Sequence, residues 1–509
     1  MSEAAAAHSR VRDENMVRLT LERVQDITSA RLLLGEPRRL RTQVRDVCTD
    51  SRTLHAGDLF IALKGERFDG HRFVPQALEK SAAGVLVEAG FRVPTELKPR
   101  GSAGKASAPS GGVVLAVPDS LVAYQQVAAY HRSGFEIPVV AVTGSNGKTT
   151  TKEMIARVLE ERWNVLVTEG NLNNQIGVPQ TLLRLRATHE AAVIEMGVDQ
   201  KGQTTRLAGI VRPTIGVITN IGPDHLEFFG TMDASAEAKG ELLDVLPTRH
   251  AAVLNADDQY FGYLNSKARC RVVSFGLGPL ADVRALEPAP GPDGIKFGLM
   301  LPGRARPSLV VLPAHGFHNL SNALAAAAVG YLCGVTGAKI AEGLARFRPA
   351  IMRSQVESLG AFRIINDCYN ANPASMNAAI DLLAALGGPR TIAVLGDMLE
   401  LGPRSSDFHR EVGAHAASRR ISVLVACGAL GKGFAEGARG AGMNAGSVIE
   451  APDALHAARL MRSMLRPGDV VLIKGSRGMR MEQVVDMLKN RLPPAEKGAG
   501  GRTRKGTAH

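Results

Sequence analysis

Residues 143–150 read Thr-Gly-Ser-Asn-Gly-Lys-Thr-Thr, which sets two glycines, a lysine and several hydroxyls in eight positions. Those residue types suit the holding of a phosphate chain. Gly144 and Gly147 let the backbone curl so that several N–H groups face one anion, with Ser145, Asn146 and Thr150 completing the cradle. A helix that starts directly behind the loop adds its positive end. Lys148 is placed to neutralise terminal phosphates, and the Thr149 hydroxyl to ligate a phosphate-bound magnesium ion. The longer form of this loop has a glycine where Val142 stands. The shorter Gly-x-x-Gly-Lys-Thr form still supplies the needed groups.

Such a loop needs a strand before it and a helix after it. Ile137-Pro-Val-Val-Ala-Val-Thr is a short apolar run, and Lys152-Glu-Met-Ile-Ala-Arg-Val-Leu has helical spacing. Further buried runs follow at Ala192–Met196, Ile215–Asn220 and Ala251–Asn255, with helical stretches between several of them. Strands alternating with helices predict an α/β fold with a mostly parallel sheet covered on both faces. A third series occupies Phe362–Asn366, Thr391–Gly396, Val423–Gly428 and Asp469–Gly475. Each run ends in a polar residue or glycine, at the edge where ligands of open α/β sheets sit. We therefore expect three domains: 16–136, a central phosphate-loop domain at 137–348, and a Rossmann-like domain at 349–492. Residues 97–112 read as a surface loop, and the basic, Gly-rich 493–509 as a disordered tail.

With 509 residues, two to four domains is the reasonable prior. Apolar residues at 45% and charged residues at 22% are those of an ordinary globular protein. A net charge of +12 fits anionic small substrates. Aromatics at only 4% offer few stacking platforms, which argues against nucleic acid as the partner. Five scattered cysteines without a CxxC pair point to free thiols in a reducing compartment. The N-terminus lacks the basic start and apolar core of a signal peptide, and no long uncharged apolar run predicts a membrane span. A cytoplasmic monomer is the expectation.

The loop, followed by Asn171-Leu-Asn-Asn-Gln-Ile-Gly-Val-Pro, resembles the Mur ligase family. Blocks in the same order support it: Val193-Ile-Glu-Met-Gly, Asp224-His-Leu-Glu-Phe-Phe-Gly, Ala236-Glu-Ala-Lys-Gly-Glu and His318-Asn-Leu-Ser-Asn-Ala. Asn366-Asp-Cys-Tyr-Asn-Ala-Asn-Pro-Ala-Ser-Met, with Leu395-Gly-Asp-Met-Leu-Glu-Leu-Gly and Ile473-Lys-Gly-Ser-Arg-Gly, is similar to the member that adds D-alanyl-D-alanine to UDP-N-acetylmuramoyl-tripeptide. The resemblance covers roughly residues 16 to 490. It implies ATP and Mg2+, with a carboxylate phosphorylated to an acyl phosphate that an amine then attacks.

It also implies roles for residues. Asn174 would lie near the γ-phosphate and metals. Glu195 would bind magnesium, His225 a second magnesium, and a carbamylated Lys239 would supply a carboxylate able to ligate magnesium. From the residues alone, His225 is as readily an exposed loop histidine and Lys239 a solvated helix lysine. Asn319 and Asn322 would sit near adenine. Arg353 and Asp367 would close on ATP from the third domain, although the family's glycine before that arginine is Met352 here. Ser51 and Arg52 are candidates for the UDP-sugar. Tyr369, Asn370, Asn372 and Ser375 are candidates for the dipeptide, with Asp397 and Lys474 beside them. Two rival readings stay open: another ligase of the superfamily, amino-acid-adding or folylpolyglutamate-forming, and a nucleotide-dependent switch without ligase chemistry.

Overall fold

The computed structural model describes residues 19–65, 68–94 and 112–490. The expected N-terminal fray, nearly all of the 97–112 loop and the basic tail lie outside them. Three sheets follow one another along the chain. The first has strands β1 (Arg31–Leu34), β2 (Val47–Cys48), β3 (Leu59–Ile61), β4 (Gly84–Glu88) and β5 (Val114–Val117), in the order β1-β5-β4-β3-β2. Only β1 runs antiparallel to its neighbour.

The central sheet has nine strands: β6 (Val139–Thr143), β7 (Val165–Val167), β8 (Ala191–Glu195), β9 (Ile215–Ile218), β10 (Ala251–Asn255), β11 (Arg271–Gly276), β12 (Val283–Gly291), β13 (Gly294–Met300) and β14 (Ser308–Leu312). Their order is β14-β13-β12-β11-β10-β9-β6-β8-β7. Residues of β6, β8 and β9 are buried throughout, as strands covered on both faces must be. Their side chains alternate between two cores. Val140 and Val142 pack with the helices Lys148–Leu159 and Phe317–Leu332, while Val139 and Ala141 face Leu207 and Leu242 on the other side.

The mostly parallel sheet expected from the apolar runs is present, with an antiparallel addition at one edge. Strands β12, β13 and β14 form a meander. β12 and β13 mix polar residues and glycines into their apolar positions, and β14, although it carries Leu309-Val-Val-Leu312, exposes Leu309 and Val311. The third sheet has β15 (Gln355–Leu359), β16 (Phe362–Asp367), β17 (Arg390–Gly396), β18 (Val423–Cys427), β19 (Val448–Ala451) and β20 (Asp469–Lys474), ordered β15-β16-β20-β17-β18-β19. All but β15 are parallel.

The first two regions share one apolar core, in which Leu21 and Val24 belong to the same cluster as Leu182 and Leu185. Arg132, at the end of helix Ser120–Ser133, locks that join. Its guanidinium is buried and donates to the carbonyls of Val211 (2.9 Å), Phe135 (2.6 Å) and Arg212 (3.1 Å). Beside it, Nε2 of buried His131 bonds the Leu185 carbonyl at 3.1 Å. The third region reaches the second through Leu226, which belongs to the third region's core. Among the described residues no helix is long and apolar enough to cross a membrane.

Arg132 supplies a testable consequence. Arg132→Met keeps an apolar stem of similar reach but leaves three carbonyls without their donor. The bond to Val211 is buried and the other two are partly so, and an unpaired buried acceptor costs about 1–3 kcal/mol. We expect stability to fall by about 2–4 kcal/mol in urea unfolding. A variant within about 0.5 kcal/mol of the parent would show that the join does not depend on this side chain.

Candidate active site

The phosphate loop connects β6 to helix Lys148–Leu159. Gly144 has φ +133°, and a Cβ there would lie 2.1 Å from Thr219 Oγ1. Gly147 has φ +78°, and a Cβ there would lie 2.3 Å from Asn322 Oδ1. Neither position admits a side chain. The segment after β9 fixes the loop from behind. Ser145 N donates to Asn220 O and Asn146 N to Asn220 Oδ1, both at 2.9 Å, while Thr219 Oγ1 donates to Asn146 O at 2.6 Å. Lys148 Nζ folds back onto the carbonyls of Gly144 (2.7 Å) and Ser145 (3.2 Å), so its charge is held over the loop.

Glu195 ends β8 and is only 1% exposed. Its Oε1 accepts from Thr149 Oγ1 at 3.0 Å and from Asn173 Nδ2 at 2.8 Å. Its Oε2 is buried without a hydrogen-bond partner. Lys152 Nζ, itself fully buried, lies 3.9 Å from that oxygen and is bonded to Thr168 O (2.6 Å) and Glu153 (2.8 Å). A buried carboxylate oxygen without a donor is costly. Beside a threonine hydroxyl it is a fitting ligand for a hard divalent cation. Among the described residues, no group of three or more His, Cys, Asp or Glu side chains is arranged to hold an ion unaided. Magnesium commonly takes one or two protein ligands and completes its shell with phosphate and water.

A second polar group lies across the loop. Ser145 Oγ donates to Asp224 Oδ1 at 2.6 Å, and Lys239 Nζ donates to the same oxygen at 3.0 Å and to Ser235 Oγ at 2.6 Å. Lys239 is 1% exposed and stands 4.6 Å over the Phe229 ring, so it is not a solvated helix lysine. Burial pushes its amine pKa down and Lys148 pushes the same way, against the opposing pull of Asp224. His225 has φ +51°, and its Nδ1 lies 2.6 Å from Glu400 Oε2, so it is not a lone loop histidine either. Asn174 Oδ1 accepts from the backbone N–H groups of Ile176 (3.1 Å) and Gly177 (2.9 Å), capping the helix Gly177–Leu182.

On the far side, Asn319 and Asn322 are buried near the start of the helix Phe317–Leu332. Asn319 Nδ2 donates to His315 O at 2.8 Å, and Asn322 Oδ1 accepts from Thr151 Oγ1 at 3.2 Å. The Arg353 guanidinium lies 3.9 Å over the Tyr369 ring. Asp367 accepts from Ser354 N at 2.9 Å and from Lys474 Nζ at 2.7 Å, and Lys474 also donates to Asn370 O at 2.8 Å. Asn372 and Ser375 form the capping box of helix Pro373–Leu386. Asn372 Nδ2 also donates to Asn146 Oδ1 at 2.8 Å, tying the third region to the phosphate loop.

One cavity of about 940 Å³ gathers these groups. Every candidate of the second and third regions lines it except Gly144, Lys239 and Asp397. Lys239 stands behind Asp224, which does line it. Asp397 is buried elsewhere, accepting from Leu430 N at 3.1 Å. Ser51 and Arg52 do not line it either. Ser51 O accepts from Lys80 Nζ at 2.7 Å, and Arg52 pairs with Asp50 at 2.6 Å. Three further residues matter here and were not singled out from the sequence: Lys152, Asn173 and Asp224. Lys152 lies three positions after Thr149, hence on nearly the same helix face. The other two directly precede Asn174 and His225.

Three family models match the chain: the Mur ligase family catalytic domain over residues 43–129, the Mur ligase middle domain over 142–330, and the Mur ligase glutamate ligase domain over 352–477. The UDP-N-acetylmuramoyl-tripeptide--D-alanyl-D-alanine ligase of Bacillus subtilis is 35% identical, over 94% of this chain and all of its own. MurF from Acinetobacter baumannii superposes with a TM-score of 0.82 at 32% identity, covering 93% of this chain and 99% of that one. MurF from Thermotoga maritima, solved in complex with ADP, gives 0.75 at 27% identity, covering 87% and 97%. With likeness of this extent in sequence, order of regions and fold, the chain belongs to the Mur ligase family.

Proposed function

We propose that this chain joins D-alanyl-D-alanine to UDP-N-acetylmuramoyl-tripeptide at the expense of ATP, forming the pentapeptide precursor of peptidoglycan in the cytoplasm. One observation carries the reading: a single cavity is lined at once by the phosphate loop and by Tyr369, Asn370, Asn372 and Ser375 of the third region. A phosphoryl donor and an amine acceptor can therefore meet at one carboxylate.

In this reading Lys148 leaves its two carbonyl partners for the terminal phosphates, and loop N–H groups, with Ser145, Asn146, Thr149 and Thr150, cradle the chain. Asn319 and Asn322 lie toward the base, and Arg353 and Asp367 close from the third region. The tripeptide carboxylate attacks the γ-phosphorus, giving an acyl phosphate and ADP. The dipeptide amine then adds to the acyl carbon, loses its proton, and phosphate leaves. Magnesium ions, one at Thr149 and Glu195 and a second at His225, with a carbamylated Lys239 as a further ligand and Asn174 nearby, would offset phosphate charge. Carbamylation needs a neutral amine, which burial of Lys239 favours. Ser51 and Arg52 would contact the uridine diphosphate end. Water is excluded from the acyl phosphate by the closeness of the third region, which Asn372 already ties to Asn146.

The direct experiment is ADP release with UDP-muramoyl-tripeptide, offered D-alanyl-D-alanine or single amino acids. We expect release to require the dipeptide. Equal or better use of a single amino acid would favour an amino-acid-adding or folylpolyglutamate-type ligase instead.

Two substitutions test the chemistry. Lys148→Ala removes the cation nearest the transferring charge and should lower kcat about 100–1000-fold. Near-normal turnover would remove the phosphate loop from the mechanism. At Lys239, alanine and arginine variants should both be nearly inactive, since neither presents a carboxylate. Acetate should partly restore Lys239→Ala by filling the gap, but not Lys239→Arg. Turnover of each, with and without acetate, reads this out, and an active arginine variant would refute the carbamate.

A further inference from the structure

Two residues with left-handed backbone face each other across the join between the second and third regions. His225 has φ +51° and Glu400 has φ +62°. Neither is glycine, so each conformation persists because its surroundings hold it. Two contacts do so. Glu227 N donates to Glu400 O at 3.1 Å, and His225 Nδ1 lies 2.6 Å from Glu400 Oε2. Between them, Leu226 belongs to the third region's core beside Leu401 and Phe408. Residues 225–227 therefore continue the second region in the chain but are packed by the third.

An ionised carboxylate only accepts hydrogen bonds, so the shared hydrogen belongs to His225 Nδ1. In the neutral ring Nε2 is then the nitrogen with the free lone pair, and His225 lines the cavity. We propose that Glu400 is a positioning residue for the reaction. It reaches across from the third region, fixes His225 in the Nδ1–H tautomer, and so presents Nε2 with its lone pair free toward the cavity, as a cation ligand must be. It does this only while the two regions are docked. The inference rests on the ligase reading, because that reading makes His225 a magnesium ligand. It adds a reason for the strained backbone on both sides and a link between docking of the third region and assembly of the site.

The test uses full-length protein labelled with 15N-histidine, without ligands. His225 is assigned by comparison with His225→Gln, and its tautomer is read from the couplings of the ring nitrogens to ring protons. An imidazole with no such partner carries its hydrogen mainly on Nε2. We expect the Nδ1–H form in the parent chain, its loss in Glu400→Ala, and its retention in Glu400→Gln, whose amide oxygen still accepts. Turnover should fall about 10–100-fold in Glu400→Ala, as for partners that orient a ligating histidine, and less in Glu400→Gln. An Nε2–H signal in the parent chain, or an unchanged tautomer in Glu400→Ala, overturns the assignment. The parent spectrum decides alone if Glu400→Ala does not fold. The spectrum needs no turnover, whereas dipeptide-dependent ADP release tests the ligase reading, so each can fail without the other.

Discussion

A carboxylate almost out of water, with one oxygen lacking a donor, is an expensive thing to fold around, and the middle of this molecule is organised by that cost. Glu195 is held by the Thr149 hydroxyl and the Asn173 amide on one oxygen, with the buried Lys152 ammonium 3.9 Å from the other. Burying either charge alone is costly, and the opposite charge nearby offsets part of that cost. Lys152 in turn holds the Thr168 carbonyl, and Thr168 Oγ1 accepts from Glu195 N at 3.0 Å. The segment after β7, which supplies Asn173 and Asn174, is thereby fixed to the end of β8. The phosphate loop, the carboxylate and the asparagine segment form one rigid frame.

The same frame dictates where side chains are forbidden. The phosphate loop approaches Thr219 on one side and Asn322 on the other so closely that a methyl group at Gly144 or Gly147 would overlap them. Asn322 belongs to the helix expected near the base, so loop shape and base-side geometry are set by one contact. The second charged group repeats the logic. Lys239 and Asp224 are both buried and share Ser235 as a polar neighbour, while Ser145 bonds Asp224. On each side of the loop, then, a buried lysine meets a buried carboxylate.

Much of the fold was legible because strands buried on both faces read as continuous apolar runs, as at Val139–Thr143, Ala191–Glu195 and Val423–Cys427. The meander β12–β14 was not, because β12 and β13 mix polar residues and glycines with apolar ones and all three strands leave some residues to solvent, β14 even within its apolar run. Nor was β15, whose residues are half-buried or exposed. In the site, the loop was legible from local spacing alone. Lys152, Asn173 and Asp224 were not, since each matters through a partner 15 to 43 positions away. Asn372 and Ser375 read as ligand contacts; the structure also shows them as the cap of their own helix. That local bond fixes Asn372 where it can reach Asn146 across the cavity.

The departure at Met352 is where local conformation and resemblance meet. A glycine before Arg353 is the family's habit, and Met352 has φ +62°, the region that glycine enters freely and other residues enter at a cost of about 1–2 kcal/mol. Ser354, after the arginine, is likewise left-handed at φ +46°. Compensation is visible on both sides. Met352 N donates to Gln355 Oε1 at 3.0 Å, Met352 O accepts from Tyr369 N at 3.2 Å, and its side chain packs on the apolar cluster containing Met481 and Ile364. Glycine would supply the same backbone angle but none of that packing. The turn is therefore kept by tertiary contacts rather than by the intrinsic freedom of a glycine, and Arg353 is delivered over Tyr369 at the cavity wall. What the position requires is the left-handed turn, and either device meets that requirement.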